Sequence, residues 1–135
     1  MQYDRPASPP ASDPPYELFM MLGFDRHGVP TGIELVEGDA TGLRLSLDRQ
    51  VDRLAAADTR MVIISHNHPS GNPNPSKADL SGTRAIARLL KRVGMTLIDH
   101  VIWTDESHFS FRCNDLLDLP KKADLGACIA ESPPL

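Results

Sequence analysis

Residues 65–79 constrain the fold and the chemistry of this chain more strongly than any other part of the sequence. A short apolar run rich in β-branched residues, at positions 61–64, precedes this segment and predicts a buried β-strand. His66 and His68 follow at the end of the strand. Because side chains on a strand alternate between its two faces, we expect both imidazoles to point in the same direction.

The second half of the segment places a carboxylate at the start of a helix. Residues 77–93 have a helical pattern, so Asp79 lies in the first turn. Before that helix, Pro73 and Pro75 disfavour helical conformations at the residues that precede them and predict a stiff, extended loop. Two imidazoles and one carboxylate, with a fourth position open, are the donors of a catalytic zinc site. The pattern therefore predicts a metal site formed by the two histidines and Asp79.

Ser76 and Asp79 also have a simpler interpretation. Their spacing is that of a capping box, in which the serine is the N-cap and the acid returns to the N-cap amide. This interpretation needs no metal, but it explains neither the histidine pair nor the proline-rich loop. Capping and metal binding by Asp79 both stay open from the residues alone.

These residues resemble the signature of a known family. The pattern His-x-His-Pro, six residues, Ser, two residues, Asp runs from His66 to Asp79 and is similar to the JAMM motif of the JAB/MPN metalloproteases. The sequence His-Asn-His-Pro-Ser-Gly at positions 66–71 resembles that of the RadC-like branch. The similarity continues through the following helix into residues 97–102 and covers roughly residues 18–117.

The resemblance implies both a fold and an activity. The implied fold is α/β, a mixed β-sheet flanked by helices with the cytidine-deaminase-like layering of JAB/MPN domains. The implied activity is a zinc-dependent hydrolysis in which a metal-activated water attacks a peptide or isopeptide bond, so the expected partner is a peptide or protein substrate. Ser76 matches the family serine whose hydroxyl stabilises the oxyanion. His66, His68 and Asp79 match the metal ligands.

Such a site also needs a carboxylate that accepts a proton from the water. In the family this is a glutamate upstream of the histidines, and Glu34 and Glu37 are the candidates here. They fall on opposite faces of a strand, so at most one should reach the metal. RadC-like proteins usually place Glu before an apolar pair, one variable residue and Gly, which makes Glu34 the predicted base. The family's usual Gly-Thr continuation is replaced by Gly38-Asp39, and solvated strand-end acids are the alternative interpretation.

The ends of the chain differ in composition from its centre. Residues 1–15 contain five prolines and no Leu, Ile, Val or Phe, which predicts a disordered leader. Residues 120–135 carry turn and breaker residues and predict a C-terminal tail. One RadC-like JAB/MPN domain is expected between them, at residues 16–119.

The remaining patterns predict the other elements of that domain. His100 lies on one of the predicted strands, and we interpret it as a histidine that is hydrogen-bonded in the core or exposed at the surface, not as a ligand. Asp48 is expected to cap a helix. The predicted segments are a strand at 18–24, a turn at 25–28, a strand at 32–37, a short strand or link at 43–47, a hairpin of 96–104 with 108–112, and a last helical turn at 115–119.

Charge and cysteine content favour some functional classes over others. A net charge of −4 gives no indication of wholesale nucleic-acid binding, and no apolar run is long enough to span a membrane. The isolated Cys113 and Cys128 and the lack of a secretory signal favour a reduced, cytoplasmic protein. Arg84, Arg88 and Lys91 share one helix face, which is typical of a solvated surface. A docking surface for an acidic partner or for a nucleic-acid backbone is the lesser alternative. A catalytically silent metal-binding interaction module and a DNA-repair-associated accessory protein are the rival functions.

Overall fold

The structure, a computed structural model, describes residues 17–37 and 47–119. The predicted leader at 1–15, the predicted tail at 120–135 and positions 43–46 of the predicted link lie outside these residues. The described elements are, in chain order, β1 (Leu18–Phe24), β2 (Pro30–Glu37), α1 (Asp48–Ala56), β3 (Met61–Asn67), α2 (Lys77–Arg92), β4 (Thr96–Trp103) and β5 (His108–Ser110).

The five described strands form one mixed sheet in the order β2-β1-β3-β4-β5. β3 and β4 run parallel and are connected through α2, whereas the other neighbouring strands pair antiparallel. Parallel strands need such a crossover because a short turn cannot reverse the chain twice. The α/β class and the mixed sheet predicted from the sequence are confirmed.

The buried face of the sheet leads directly to the histidines. β1 buries Phe19 and Met21, and β3 buries alternate residues that end with Ile64 and His66. The strand register pairs Phe19 with His66 and Met21 with Ile64. His66 therefore continues a row of apolar core side chains and is itself inaccessible to solvent. A polar ring at such a place must have hydrogen-bonding partners or a ligand.

The two described helices add their apolar faces to the same core. Leu54 of α1 and Ile86 and Leu90 of α2 are at most 2% exposed and belong to one cluster with the sheet residues. Burying a side chain of this size stabilises the fold by roughly 1.5–3 kcal/mol. Gly94 follows α2 with φ of 81°, a conformation that favours glycine and lets the chain turn back into β4.

The bounds of some elements differ from the sequence predictions. β3 extends beyond its apolar run to Asn67 because its last residues also pair with β4. Asp48 does not cap α1; Leu47 holds the N-cap position without a side-chain hydrogen bond, and Asp48 is the first helical residue. The helical turn predicted at 115–119 does not form, since residues 111–115 make turns and Asp115 has φ of 57°.

The structure bears on two expectations from composition, one about membrane-spanning helices and one about the cysteines. None of the helices in the described ranges is long and apolar enough to cross a bilayer. Cys113 is disulfide-bonded, so the expectation of reduced cysteines is wrong for this residue.

Candidate metal centre

The end of β3 and the loop after it bring the two histidines together. Nε2 of His66 lies 3.1 Å from Nε2 of His68, with the rings inclined at 67°. His66 is held by a stacking contact with Phe19, with ring centroids 4.4 Å apart. The backbone N–H of His68 donates to the carbonyl of Trp103, which ties the start of the loop to the neighbouring strand β4.

Asp79 meets the histidines from the first turn of α2. Its Oδ2 lies 3.1 Å from Nε2 of His68, and its Oδ1 lies 3.4 Å from Nε2 of His66. The capping box is present as well. The N–H of Ser76 donates to Asp79 Oδ2 at 2.8 Å, and the N–H of Asp79 donates to Ser76 Oγ at 3.0 Å. One carboxylate therefore caps the helix and faces both imidazoles, so the two interpretations of Asp79 are compatible.

The separations between these donor atoms fit a tetrahedral metal. With bonds of about 2.0–2.1 Å, two ligands of a tetrahedral zinc lie about 3.3–3.4 Å apart. The two Nε2 atoms lie 3.1 Å apart, and the two carboxylate oxygens of Asp79 lie 3.1 Å from His68 Nε2 (Oδ2) and 3.4 Å from His66 Nε2 (Oδ1). The carboxylate and both imidazoles could thus hold one ion with little movement.

The hydrogen bond on the far side of His68 fixes which of its nitrogens can bind a metal. Nδ1 of His68 lies 2.8 Å from the carbonyl oxygen of Asn72, which can only accept. Nδ1 must therefore carry the proton, and Nε2 of the neutral ring presents a lone pair to His66 and Asp79. Lone pairs and a carboxylate that face one another at 3.1 Å repel unless a cation or a proton lies between them. The chemistry of the donor set therefore fits a bound cation.

The charge state of Asp79 suits metal binding. Burial by itself raises the pKa of this carboxyl, but the neighbouring His66 ring and the N–H of Ser76 lower it, and the net effect holds the pKa well below its usual range. Asp79 is therefore ionised at neutral pH. A metal ion would not have to displace a proton from it.

Glu17 is an acidic group at the site that sequence reasoning missed. Its Oε1 lies 3.7 Å from Nε2 of His68, and potential ligand atoms of Glu17, His66 and His68 all lie within 4.8 Å of one another. The register explains this position: Phe19 pairs with His66, so Glu17, which directly precedes β1, comes level with His68 just after β3. A signal was present, since Glu17 directly precedes a predicted strand, but only the strand pairing reveals it.

The structure does not bring Glu34 to the histidines. Glu34 on β2 pairs with Met21 on β1, which in turn pairs with Ile64 on β3. Glu34 is therefore separated from β3 by one strand, and it lies level with Ile64, two residues before His66. Its carboxylate lies 3.4 Å from the guanidinium of Arg53 on α1. Glu37 ends β2, where its backbone pairs with Leu18. The geometry thus favours Glu17 over Glu34 as the acid beside the metal.

His100 is buried and hydrogen-bonded, which agrees with the first of the two alternatives offered by the sequence, a core histidine and not an exposed one. It is 1% exposed, stacks on Phe111, and lies 2.6 Å from Nδ1 of His66. Burial lowers its pKa to about 3, so the ring is neutral at physiological pH. Both of its ring nitrogens are engaged, Nε2 with His66 and Nδ1 with Thr83, so His100 supports a candidate ligand and has no nitrogen left for a metal.

A cavity of about 330 Å³ opens beside the histidines. His68 and Asn67 line one side, and Trp103 and Glu106 from the end of β4 and the turn after it line the other. Trp103 is 40% exposed. The cavity is a space beside His68 that could accommodate part of a ligand.

Comparison with known proteins agrees with the motif. A family model described as a RadC-like JAB domain matches residues 7–116. The chain belongs to the RadC-like JAB family. The matched range includes all the residues that converge at the metal centre, including Glu17.

Curated relatives in the RadC-like JAB family carry names that state no activity. A UPF0758 protein of Xanthomonas oryzae pv. oryzae (strain PXO99A) is 38% identical over 91 residues, which are 67% of this chain and 40% of the relative. A UPF0758 protein of Nitrosococcus oceani is 36% identical over 104 residues, 76% of this chain and 46% of the relative. This RadC-like chain therefore spans less than half the length of these relatives.

Proposed function

We propose that this chain is a zinc-dependent hydrolase that cleaves peptide or isopeptide bonds. The observation that carries the proposal is the convergence of two imidazole nitrogens and one ionised carboxylate at tetrahedral spacing. His66, His68 and Asp79 would hold the ion. When bound at such a site, zinc supplies Lewis acidity and lowers the pKa of a coordinated water towards neutrality.

Glu17 is the proposed proton acceptor. Its separation from His68 Nε2, 3.7 Å, exceeds the 3.1–3.4 Å between the ligand atoms, which suits a group that faces the open coordination position better than a fourth ligand. A carboxylate at this place can accept a proton from the attacking water and deliver it to the leaving amine. In this role Glu17 replaces Glu34, which the sequence alone had favoured.

Ser76 is the proposed oxyanion donor. Its Oγ accepts the N–H of Asp79, and a hydroxyl that accepts a hydrogen bond keeps its own proton to donate. Capping and oxyanion stabilisation are therefore compatible at one serine. The capping box also holds this hydroxyl close to the carboxylate that binds the metal.

This function is tested by measuring whether hydrolysis depends on bound zinc. Purified protein would be loaded with zinc and assayed against peptide substrates and lysine-linked isopeptides. We expect hydrolysis that a chelator abolishes and added zinc restores. Hydrolysis that is insensitive to chelation would contradict the assignment.

A metal-binding interaction module without catalysis is the second candidate. It is favoured by the exposed basic residues Arg84, Arg88 and Lys91, which line a second cavity of about 550 Å³ containing none of the metal-site residues. Stoichiometric zinc without turnover of any peptide or isopeptide would support this candidate. Salt-dependent binding of DNA that is lost when these three basic residues are replaced would identify nucleic acid as the partner.

A further inference from the structure

A chain of buried hydrogen bonds connects two of the proposed ligands on the side away from the metal. Nδ1 of His66 lies 2.6 Å from Nε2 of His100, and Nδ1 of His100 lies 2.7 Å from Oγ1 of Thr83. Oγ1 of Thr83 lies 2.6 Å from the backbone carbonyl oxygen of Asp79. All four residues are at most 4% exposed, so water has little access to the chain.

The acceptor at one end determines the direction of every bond. The carbonyl of Asp79 can only accept, so the hydroxyl of Thr83 donates to it. Oγ1 of Thr83 then accepts from Nδ1–H of His100, which leaves a lone pair on Nε2 of the neutral ring. That lone pair accepts from Nδ1–H of His66. In the neutral His66 ring, which is the form that binds a metal, Nε2 then carries the lone pair and faces His68 and Asp79.

We propose that Thr83 and His100 are positioning residues that hold His66 in its metal-binding tautomer and orientation. The inference rests on the proposed metal site and deepens it. It extends the site from the ligands to α2 and β4, since Thr83 lies on the helix and His100 on the strand that follows. Asp79 lies at both ends of the arrangement, with its carboxylate facing the metal position and its carbonyl ending the hydrogen-bond chain.

Packing keeps both rings in the plane that the chain requires. Phe19 stacks on His66 with an angle of 18° between the planes, and Phe111 stacks on His100 with an angle of 10°. Packing alone does not choose a tautomer, because a ring turned by 180° or protonated on the other nitrogen has the same shape. The hydroxyl of Thr83 makes that choice.

Removal of this hydroxyl should therefore weaken metal binding while the fold is kept. Without Thr83 Oγ1, His100 is free to carry its proton on Nε2 and donate it to Nδ1 of His66. The proton of His66 then moves to Nε2, where it competes with the metal. Partners behind a metal-binding histidine typically change metal affinity about 10–100-fold.

Thr83→Val and Thr83→Ser form the decisive pair. Valine keeps the shape and removes the hydroxyl, whereas serine keeps the hydroxyl and removes the methyl group. We expect Thr83→Val to raise the zinc Kd about 10–100-fold in competition with a chromophoric chelator, and Thr83→Ser to stay within about threefold of wild type. In the metal-free protein, ¹⁵N NMR of the imidazoles should show His66 protonated on Nδ1 in wild type and partly on Nε2 in Thr83→Val.

His100→Gln and His100→Phe test the next member of the chain. Glutamine retains an acceptor for His66, whereas phenylalanine retains only the stacking on Phe111. We expect glutamine to preserve much more zinc affinity than phenylalanine. If His100→Phe does not fold, the comparison of Thr83→Val with Thr83→Ser still tests the inference, because each of these substitutions alters only one small buried group.

The results separate this inference from the proposed function. Wild-type zinc affinity in Thr83→Val, together with an unchanged His66 tautomer, would overturn the positioning role and leave the metal site standing. Failure of the wild-type protein to bind zinc would overturn both. Equal losses of affinity in Thr83→Val and Thr83→Ser would indicate that packing, not the hydroxyl, is what matters, and would also overturn the inference.

Discussion

The carboxylate of Glu17, which directly precedes β1, lies 3.7 Å from Nε2 of His68, which directly follows β3. β1 pairs with β3 in the register that sets Phe19 beside His66, and this register carries Glu17 to the level of the second histidine. A proposed metal ligand and the proposed proton acceptor thus come together through the pairing of two strands. The predictions below test this centre one group at a time.

Loss of either histidine should abolish stoichiometric zinc binding. His66→Ala and His68→Ala each remove one of three ligands, and metal analysis of the purified variants should fall from about one zinc per chain to a trace. His27→Ala is the matched control, since His27 lies on the exposed turn between β1 and β2. Unchanged zinc in both ligand variants would refute the site.

Replacement of Glu17 should affect turnover and spare the metal. In Glu17→Gln the shape is kept and the proton acceptor is lost, so we expect hydrolysis to fall about 100-fold or more with zinc content unchanged. Glu34→Gln makes the same chemical change at a carboxylate that faces Arg53, and turnover should stay near wild type. The reverse pattern, with Glu34→Gln inactive and Glu17→Gln active, would restore the assignment that the sequence first favoured.

Asp79→Asn should separate the two roles of this residue. The amide oxygen of asparagine can still accept the N–H of Ser76, so the helix cap is largely kept, but the negative ligand is lost. Wild-type protein should gain about 2.7 kcal/mol of stability when free zinc is a hundredfold above its Kd. In thermal unfolding, Asp79→Asn should show little or none of this gain. A full zinc-dependent shift of Tm in the variant would mean that Asp79 only caps α2.

Ser76 should respond differently to glycine and alanine. As an N-cap it contributes roughly 0.5–2 kcal/mol, most of which glycine restores and alanine does not. As an oxyanion donor it would contribute about a hundredfold or more to turnover, which neither substitution restores. We therefore expect Ser76→Gly to unfold near the wild-type temperature with collapsed turnover, and Ser76→Ala to lose both. A wild-type rate in Ser76→Gly would leave the serine with capping alone.

The local part of the metal centre was predictable from the sequence. His66, His68, Ser76 and Asp79 lie within one continuous segment, and their arrangement depends only on strand alternation, proline stiffness and the first turn of a helix. These are short-range properties of the backbone. The α/β class was predictable for the same reason, since apolar periodicity marked most of the strands and both helices of the described residues.

The groups around the ligands were decided by the tertiary structure. The position of Glu17 depends on the antiparallel register of β1 with β3. The position of His100 depends on the parallel register that pairs it with Ile64 of β3. A shift of one residue in either register would turn these side chains to the opposite face of the sheet. The sequence alone was enough to identify the candidate ligands and the helix cap, because their geometry is local. The acid beside the metal and the buried partners of His66 were decided only when long-range strand pairing and core packing brought separate segments together.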